Sequence, residues 1–175
     1  MNVGEFFPSK VGELLFHVRD ALRRAIDEFG AEAEWKDVEG IYFCLAEGAT
    51  GTPFALVLVG DAIPERKEKF SRLALENARR LSTYPSHRTS FESRDKEEGR
   101  YSGAVRIGTL IFSVSGLPEA GDEAVALLSA YLAADLLTKE DAKGSAMIRE
   151  EVEASGADHP NCYWNHLLRA LHQSA

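Results

Sequence analysis

Two apolar runs near the middle of the chain are separated by a single residue. They span residues 104–107 and 109–114 and are rich in valine and isoleucine, which is typical of β-strands. A connection this short joins antiparallel neighbours, because a parallel crossover needs about a dozen residues or more. The sequence Ser-Gly-Leu-Pro follows at residues 115–118, and an apolar-rich segment with helical spacing then extends to residue 137. The stretch predicts two paired strands that lead through a tight turn into a helix.

The first sixty residues predict one helix and one β-hairpin. Apolar residues recur every three or four positions over residues 10–29, with Ser9 as the expected N-cap and Gly30 as the stop. Residues 38–46 and 53–59 are two strand-like apolar runs, and the loop between them is rich in glycine and threonine. This pattern is typical of a hairpin whose loop is longer than two residues.

A second long helix is predicted over residues 65–81, since Pro64 suits its first position and apolar residues recur at helical spacing. The adjacent Arg79 and Arg80 are expected on its solvated face. Residues 88–94 alternate weakly and predict an exposed strand before the central pair. The expected fold is therefore α+β: an antiparallel sheet of about five strands, a hairpin plus a three-stranded meander, with helices packed against it in the order α-ββ-α-βββ-α.

The last part of the chain has a different composition. Residues 139–158 are mostly polar and predict a linker with one short amphipathic piece around residues 147–152. Pro160 then opens a short helix with Trp164 and three leucines on one side. Such a helix is too short to be stable alone in water, so we expect it to dock on its own domain or on a partner subunit. We accordingly predict one domain at 1–138 and a helical appendage at 139–175.

Charge and composition exclude several classes of protein. The net charge of −8 disfavours binding to nucleic acid or to an anionic membrane, because phosphate contact needs a basic surface. No run of about 18 apolar residues is present, and the first residues lack the pattern of a secretory signal. The only cysteines, Cys44 and Cys162, do not form a disulfide framework. We expect a cytoplasmic protein with reduced thiols.

Two places in the sequence suit the binding of a small molecule. The turn at residues 115–118 leads into a helix, whose first N–H groups lack partners within the helix, and the basic residues at the start of the middle helix can face an anion. A solvated surface for the basic residues and a helix-dipole role for the acid at residue 122 are the alternatives. Cys162 and His166 share a helix face but are too few for a structural zinc site, so no metal site is predicted. The candidate ligand-binding residues are Arg66, Lys67, Lys69, His87, Ser115, Gly116 and Asp122.

The order of elements resembles a small α/β family that includes the haem-binding protein HbpS, the glycolate-operon protein GlcG and the C-terminal domain of PduO-type proteins. The matching residues are SGAVRI at 102–107, VSGLP at 114–118 and Asp122. Within that family the uncharacterised UPF0303 branch is the most similar. The resemblance implies a profilin-like fold and assembly into dimers or larger oligomers. It also implies haem or a corrinoid as a possible ligand, although the residues themselves predict no cofactor.

Three hypotheses on function follow. The first is a binding or sensing module for a small molecule, assembled as a homo-oligomer. The second is an enzyme on the same scaffold that uses an acid–base group such as Asp122 on an unidentified substrate. The third is an adaptor whose C-terminal helix docks on a partner protein. We predict no nucleic-acid and no membrane partner for any of them.

Overall fold

A four-stranded antiparallel sheet lies at the centre of the fold. A computed structural model of the chain describes residues 10–61, 64–139, 141–157 and 161–174. Its strands are β1 (Gly40–Glu47), β2 (Pro53–Gly60), β3 (Ala104–Ile107) and β4 (Leu110–Ser115). They lie in the order β2-β1-β4-β3, with every neighbouring pair antiparallel. The α+β class and the two predicted hairpins are confirmed.

Helices cover both faces of this sheet. The described residues form α1 (Val11–Phe29), α2 (Pro64–Ser82), α3 (Glu119–Leu132), α4 (Ala134–Leu137), α5 (Ala142–Ala157) and α6 (Cys162–Ser174). Gly30 is the C-cap of α1 and Pro64 is the first residue of α2, as the sequence predicts. The expected N-cap Ser9 lies outside the described residues. None of the described helices combines the length and the apolar character that crossing a bilayer requires.

The two faces of the sheet pack against different helices. Side chains alternate along a strand, so Phe43 and Phe112 face the core shared with α1 and α3, whereas the next residue in β1, Cys44, faces α2. Alanines of α2 lie on that second face, which lets the helix backbone approach the sheet. The hydroxyl of Ser113 in β4 donates a hydrogen bond to the carbonyl oxygen of Ala74 in α2 at 2.7 Å.

The predicted third strand of the meander is not formed. Residues 88–94 contain a short 3₁₀ helix, Ser90–Ser93, and only Thr89 forms an isolated bridge with Val105. Thr89 and Glu92 form a capping box: the Thr89 hydroxyl accepts from the N–H of Phe91, and the Glu92 carboxylate accepts from the N–H of Thr89. This local arrangement satisfies the backbone at the point where the weak alternation predicts a strand. The sheet therefore has four strands among the described residues rather than about five.

The prediction that Arg80 lies on a solvated face is wrong. Its guanidinium is buried and donates to the carbonyl oxygens of Ser90, at 2.9 Å, and of Tyr101. It also donates to the side-chain oxygen of Asn77 at 2.9 Å and to the carboxylate of Glu76 at 2.8 Å. These bonds link the irregular segment before β3 to α2. They supply donors to carbonyl groups of that segment that have few strand partners.

The C-terminal tail packs on the core of its own chain. The predicted polar linker contains the sixteen-residue helix α5 instead of one short amphipathic piece. In α6, Trp164 is only 1% exposed, and its indole lies so close to Gly156 of α5 that a Cβ atom there would be 2.0 Å from the indole nitrogen. Asn161 caps α6 by accepting from the N–H of Trp164 and donates to the carbonyl oxygen of Ala120 in α3. The boundary at residue 138 between a domain and an appendage stays a prediction.

Candidate functional site

A cavity of about 260 Å³ lies between α2, the segment before β3 and the turn from β4 to α3. We call it the central cleft. Its polar and charged lining includes Lys69, Lys96, Ser115, Glu119 and Asp122. Apolar side chains of α2 and of the turn complete the wall, namely Phe70, Leu73 and Leu117. The cleft thus joins charged groups of both signs to an apolar surface, which is the usual composition of a ligand site.

Glycines allow the backbone to converge at the cleft. Gly116, in the turn after β4, has φ +140°, and Gly103, just before β3, has φ +138°, a region that side chains rarely adopt. A Cβ atom at Gly103 would lie 2.5 Å from the carbonyl oxygen of Val114 and 3.2 Å from Cβ of Asp122. Any larger residue at Gly103 would therefore push β4 and the head of α3 apart.

Asp122 is the most unusual titratable group in the cleft. Asp122 is 6% exposed, and its carboxyl accepts a hydrogen bond from the N–H of Leu117 at 2.8 Å. Burial raises the pKa of Asp122 well above its ordinary value, and the N–H groups of Leu117 and Gly116 offset this only in part. The negative charge of Glu119 raises that pKa further. Asp122 therefore keeps its proton to a higher pH than an exposed aspartate and can then donate a hydrogen bond.

The two lysines at the cleft differ in their partners. Lys96 forms an ion pair with Glu119 at 2.8 Å, and the same carboxylate accepts from the N–H of Ser102 at 3.0 Å. Lys69 forms no hydrogen bond and no ion pair within the part of the chain that the structure describes. Its charge is therefore free to act on a ligand, whereas that of Lys96 is balanced.

The structure brings together most of the residues that the sequence singles out. Lys69, Ser115, Gly116 and Asp122 line the central cleft. Arg66 lines an adjoining cavity of about 320 Å³, which shares Phe70, Gly116 and Leu117 with the cleft. Arg66 likewise has no ion-pair partner among the described residues.

Two of the predicted residues lie apart from this group. Lys67 is exposed on α2 and lines neither the cleft nor the adjoining cavity. His87 stacks on Tyr84, with ring centroids 4.7 Å apart, and its carbonyl oxygen accepts from Nε of Arg106 at 3.3 Å. His87 therefore belongs to the loop after α2 and lines neither cavity.

Sequence reasoning missed the side chain that joins the two walls of the cleft. Asn77 is 1% exposed, lines the cleft and donates to the carbonyl oxygen of Ser102 at 3.1 Å. Its own side-chain oxygen accepts from Arg80. An asparagine within the apolar stripe of a predicted helix is the signal that could have found it, since a buried amide needs hydrogen-bond partners.

A larger groove of about 800 Å³ lies on another part of the surface, between the β3–β4 turn and α5. Its floor is apolar and includes Ile107, Leu110 and Ile148. The carboxylate of Glu151 at its rim already accepts from the N–H of Gly108 at 2.9 Å. Volume alone therefore favours this groove, whereas a buried titratable group and a free cation favour the central cleft.

No protein-family model, no curated protein and no solved structure matches the chain. The resemblance to the family of HbpS and GlcG stays a prediction. A haem or corrinoid macrocycle is larger than the central cleft of about 260 Å³ taken by itself. Its described lining contains no histidine or cysteine, and Tyr101 is the one residue there of a type that ligates haem iron.

Proposed function

We propose that the chain is a binding module for a small molecule that carries an anionic group. The ligand lies in the central cleft, with its anionic group toward Lys69 and its carbon skeleton against Phe70 and Leu73. The buried carboxyl of Asp122 lies at the inner end and hydrogen-bonds a polar atom of the ligand. A sensing role requires in addition that the bound ligand change the affinity of the protein for a partner.

One observation carries this proposal: an unpaired cation and a buried carboxyl line the same cavity. An unpaired lysine at the mouth attracts an anion. A carboxyl with a raised pKa, as for Asp122, donates a hydrogen bond to a polar oxygen of the ligand when it is protonated. The volume, about 260 Å³, is just under the range of about 300–1,000 Å³ that is usual for drug-sized ligands. The ligand is therefore a small metabolite.

Catalysis is the second candidate, and it rests on the same carboxyl. A buried acid with a raised pKa in a cleft suits general acid–base chemistry. The other carboxylate at the cleft, Glu119, is already engaged by Lys96 and Ser102. With one carboxyl outside an ion pair and no hydrogen-bonded nucleophile–base pair among the described lining residues, binding is the better supported function. The adaptor hypothesis draws no support from α6, because Trp164 is buried within its own chain.

Thermal unfolding with small anions tests the proposal. Acetate, succinate, benzoate and inorganic phosphate serve as probes, and at about one hundred times its dissociation constant a probe stabilises the folded state by about 2.7 kcal/mol. For a chain of this size that is a rise in Tm of roughly 5–10 °C. A native mass spectrum of the purified protein shows in addition whether a molecule of this kind is already bound.

Two neighbouring lysines of α2 provide a matched pair of variants. We expect Lys69→Gln to abolish the rise in Tm, because the cation that faces the cleft is removed. Lys67→Gln removes the same charge from the same turn of α2 but lies outside the cleft, and we expect it to keep the rise. Equal loss in both variants, or no stabilisation of the wild type by any probe, contradicts the proposal.

A further inference from the structure

The adjoining cavity lies directly beside the central cleft. Phe70, Gly116 and Leu117 line both spaces, and Phe70 is only half-buried. The cleft, about 260 Å³, and the adjoining cavity, about 320 Å³, are therefore two halves of one recess on either side of the Phe70 ring. A ligand somewhat longer than acetate or phosphate can extend across that ring and occupy both halves.

The adjoining cavity contains unpaired charges of both signs. Its lining includes the guanidinium of Arg66 and the carboxylates of Glu34 and Asp37. None of these three side chains forms a hydrogen bond or an ion pair within the part of the chain that the structure describes. A guanidinium binds a carboxylate through two parallel hydrogen bonds, and a carboxylate accepts hydrogen bonds from an ammonium group. The head of an α-amino acid carries a carboxylate and an ammonium on one carbon atom, so it complements both signs of charge at once.

The central cleft supplies a second position for an anionic group. Lys69 lines the cleft and has no ion-pair partner among the described residues. It follows Arg66 by three residues in α2, so the two lie on one face of the helix with Cβ atoms about 5–6 Å apart. Arg66 lines only the adjoining cavity of the two, and Lys69 lines only the cleft. A short carbon chain with a carboxylate at each end can therefore contact both cations.

A buried hydroxyl in the cleft also lacks a partner. Ser115 is 3% exposed and lines the cleft, and its side chain forms no hydrogen bond with the described residues. Alternate residues of a strand share a face, so this hydroxyl faces α2 as that of Ser113 does. Buried polar groups usually have hydrogen-bond partners. The Ser115 hydroxyl is therefore available to an oxygen atom of a ligand in the cleft.

We infer that the ligand is an α-amino acid with an acidic side chain. This inference rests on the proposed function, because the side-chain carboxylate is the anionic group that lies at Lys69, where it also accepts from the Ser115 hydroxyl. The carbon chain crosses Phe70, and the head lies in the adjoining cavity. There its carboxylate binds Arg66 and its ammonium binds the two acidic side chains. A dicarboxylate without an amine would leave those two side chains without a counter-charge.

Calorimetric titration of the wild-type protein with matched probes is the first test. Glutarate has the carbon chain and both carboxylates of L-glutamate but no ammonium, and L-glutamine lacks only the charge of the side chain. We expect L-glutamate to bind at least about tenfold more tightly than either, because each of them loses one charged hydrogen-bonding group.

The outcomes of this titration separate the inference from the proposed function. Equal affinities for L-glutamate and glutarate would refute the amino-acid head and leave the anion site of the central cleft standing. Equal affinities for L-glutamate and L-glutamine would refute the side-chain carboxylate at Lys69. Absence of binding by all three probes would overturn the proposed function together with this inference.

A matched pair of double variants is the second test. Glu34→Gln combined with Asp37→Asn removes both carboxylates from the adjoining cavity. We expect this variant to lose most of the preference for L-glutamate over glutarate while it still binds glutarate, since glutarate has no ammonium. Glu65→Gln combined with Glu68→Gln removes the same charge from exposed positions of α2 outside both cavities, and we expect it to keep the preference. An unchanged preference in the first variant, or an equal loss in both, would overturn the inference.

Discussion

Replacement of Asp122 by asparagine should remove a pH dependence from the stability of the fold. The carboxyl is buried at the head of α3 and accepts from the N–H of Leu117. Asparagine has nearly the same shape and keeps an oxygen to accept that hydrogen bond, but it has no proton to lose. The variant therefore isolates the effect of ionising a buried acid.

The sign and the size of the effect follow from proton linkage. Burial raises the pKa of Asp122 in the folded chain, while in the unfolded chain the pKa is about 4. Below the unfolded pKa both states hold the proton and Asp122 costs no stability. Between the two pKa values the folded state holds a proton that the unfolded state has released, so the free energy of unfolding falls by up to about 1.4 kcal/mol for each unit of rising pH.

Urea unfolding across the pH range measures this directly. We expect the free energy of unfolding of Asp122→Asn to increase relative to that of the wild type as the pH rises from 4. This difference reaches a plateau above the pKa of Asp122 in the folded chain. The exposed Glu97 provides the control, since Glu97→Gln removes one negative charge from the surface and should shift stability by less than about 0.5 kcal/mol at any pH. A difference between Asp122→Asn and wild type that is constant with pH, or that falls as the pH rises, would refute the burial argument.

Two further predictions concern the interior. Arg80→Gln leaves buried carbonyl oxygens without a donor and should lower the free energy of unfolding by about 3 kcal/mol or more. Arg79 lies on the exposed side of α2, so Arg79→Gln should change the free energy of unfolding by about 0.5 kcal/mol at most. Chemical denaturation measures both variants, and equal effects would contradict the role assigned to Arg80. Burial raises the pKa of the Cys44 thiol to about 11, so Ellman's reagent should modify only the exposed Cys162 until the protein unfolds. Rapid modification of both thiols under native conditions would show that Cys44 is not buried.

Features of the fold that depend on neighbouring residues in the chain could be predicted from the sequence. The one-residue gap between the central apolar runs dictates a hairpin, and Gly30 and Pro64 mark helix ends that the structure confirms. The strand expected over residues 88–94 is not formed. The side chains of Thr89 and Glu92 accept hydrogen bonds from nearby backbone N–H groups, and this local bonding is favoured over a weakly alternating strand. A capping signature over four residues was the better guide there.

The candidate site was harder to predict, because it depends on how α2 is rotated and on contacts between distant residues. Sequence patterns select Lys67 and Lys69 equally, yet only Lys69 lines the central cleft. The burial of Arg80 depends on Tyr101, which is 21 residues away in the chain. The turn before α3 was predictable, since its Ser-Gly-Leu-Pro sequence follows a strand and precedes a helix.

The position at which a small anion binds tests the account most directly. The strongest stabiliser among acetate, succinate, benzoate and inorganic phosphate is titrated into isotope-labelled wild-type protein, and the amide resonances are followed by NMR. We predict that the saturable shifts concentrate at Lys69, Phe70 and Gly116, around the central cleft. Shifts concentrated instead at Gly108 and Ile148 would place the ligand in the larger groove beside α5 and contradict the assignment of the central cleft as the binding site.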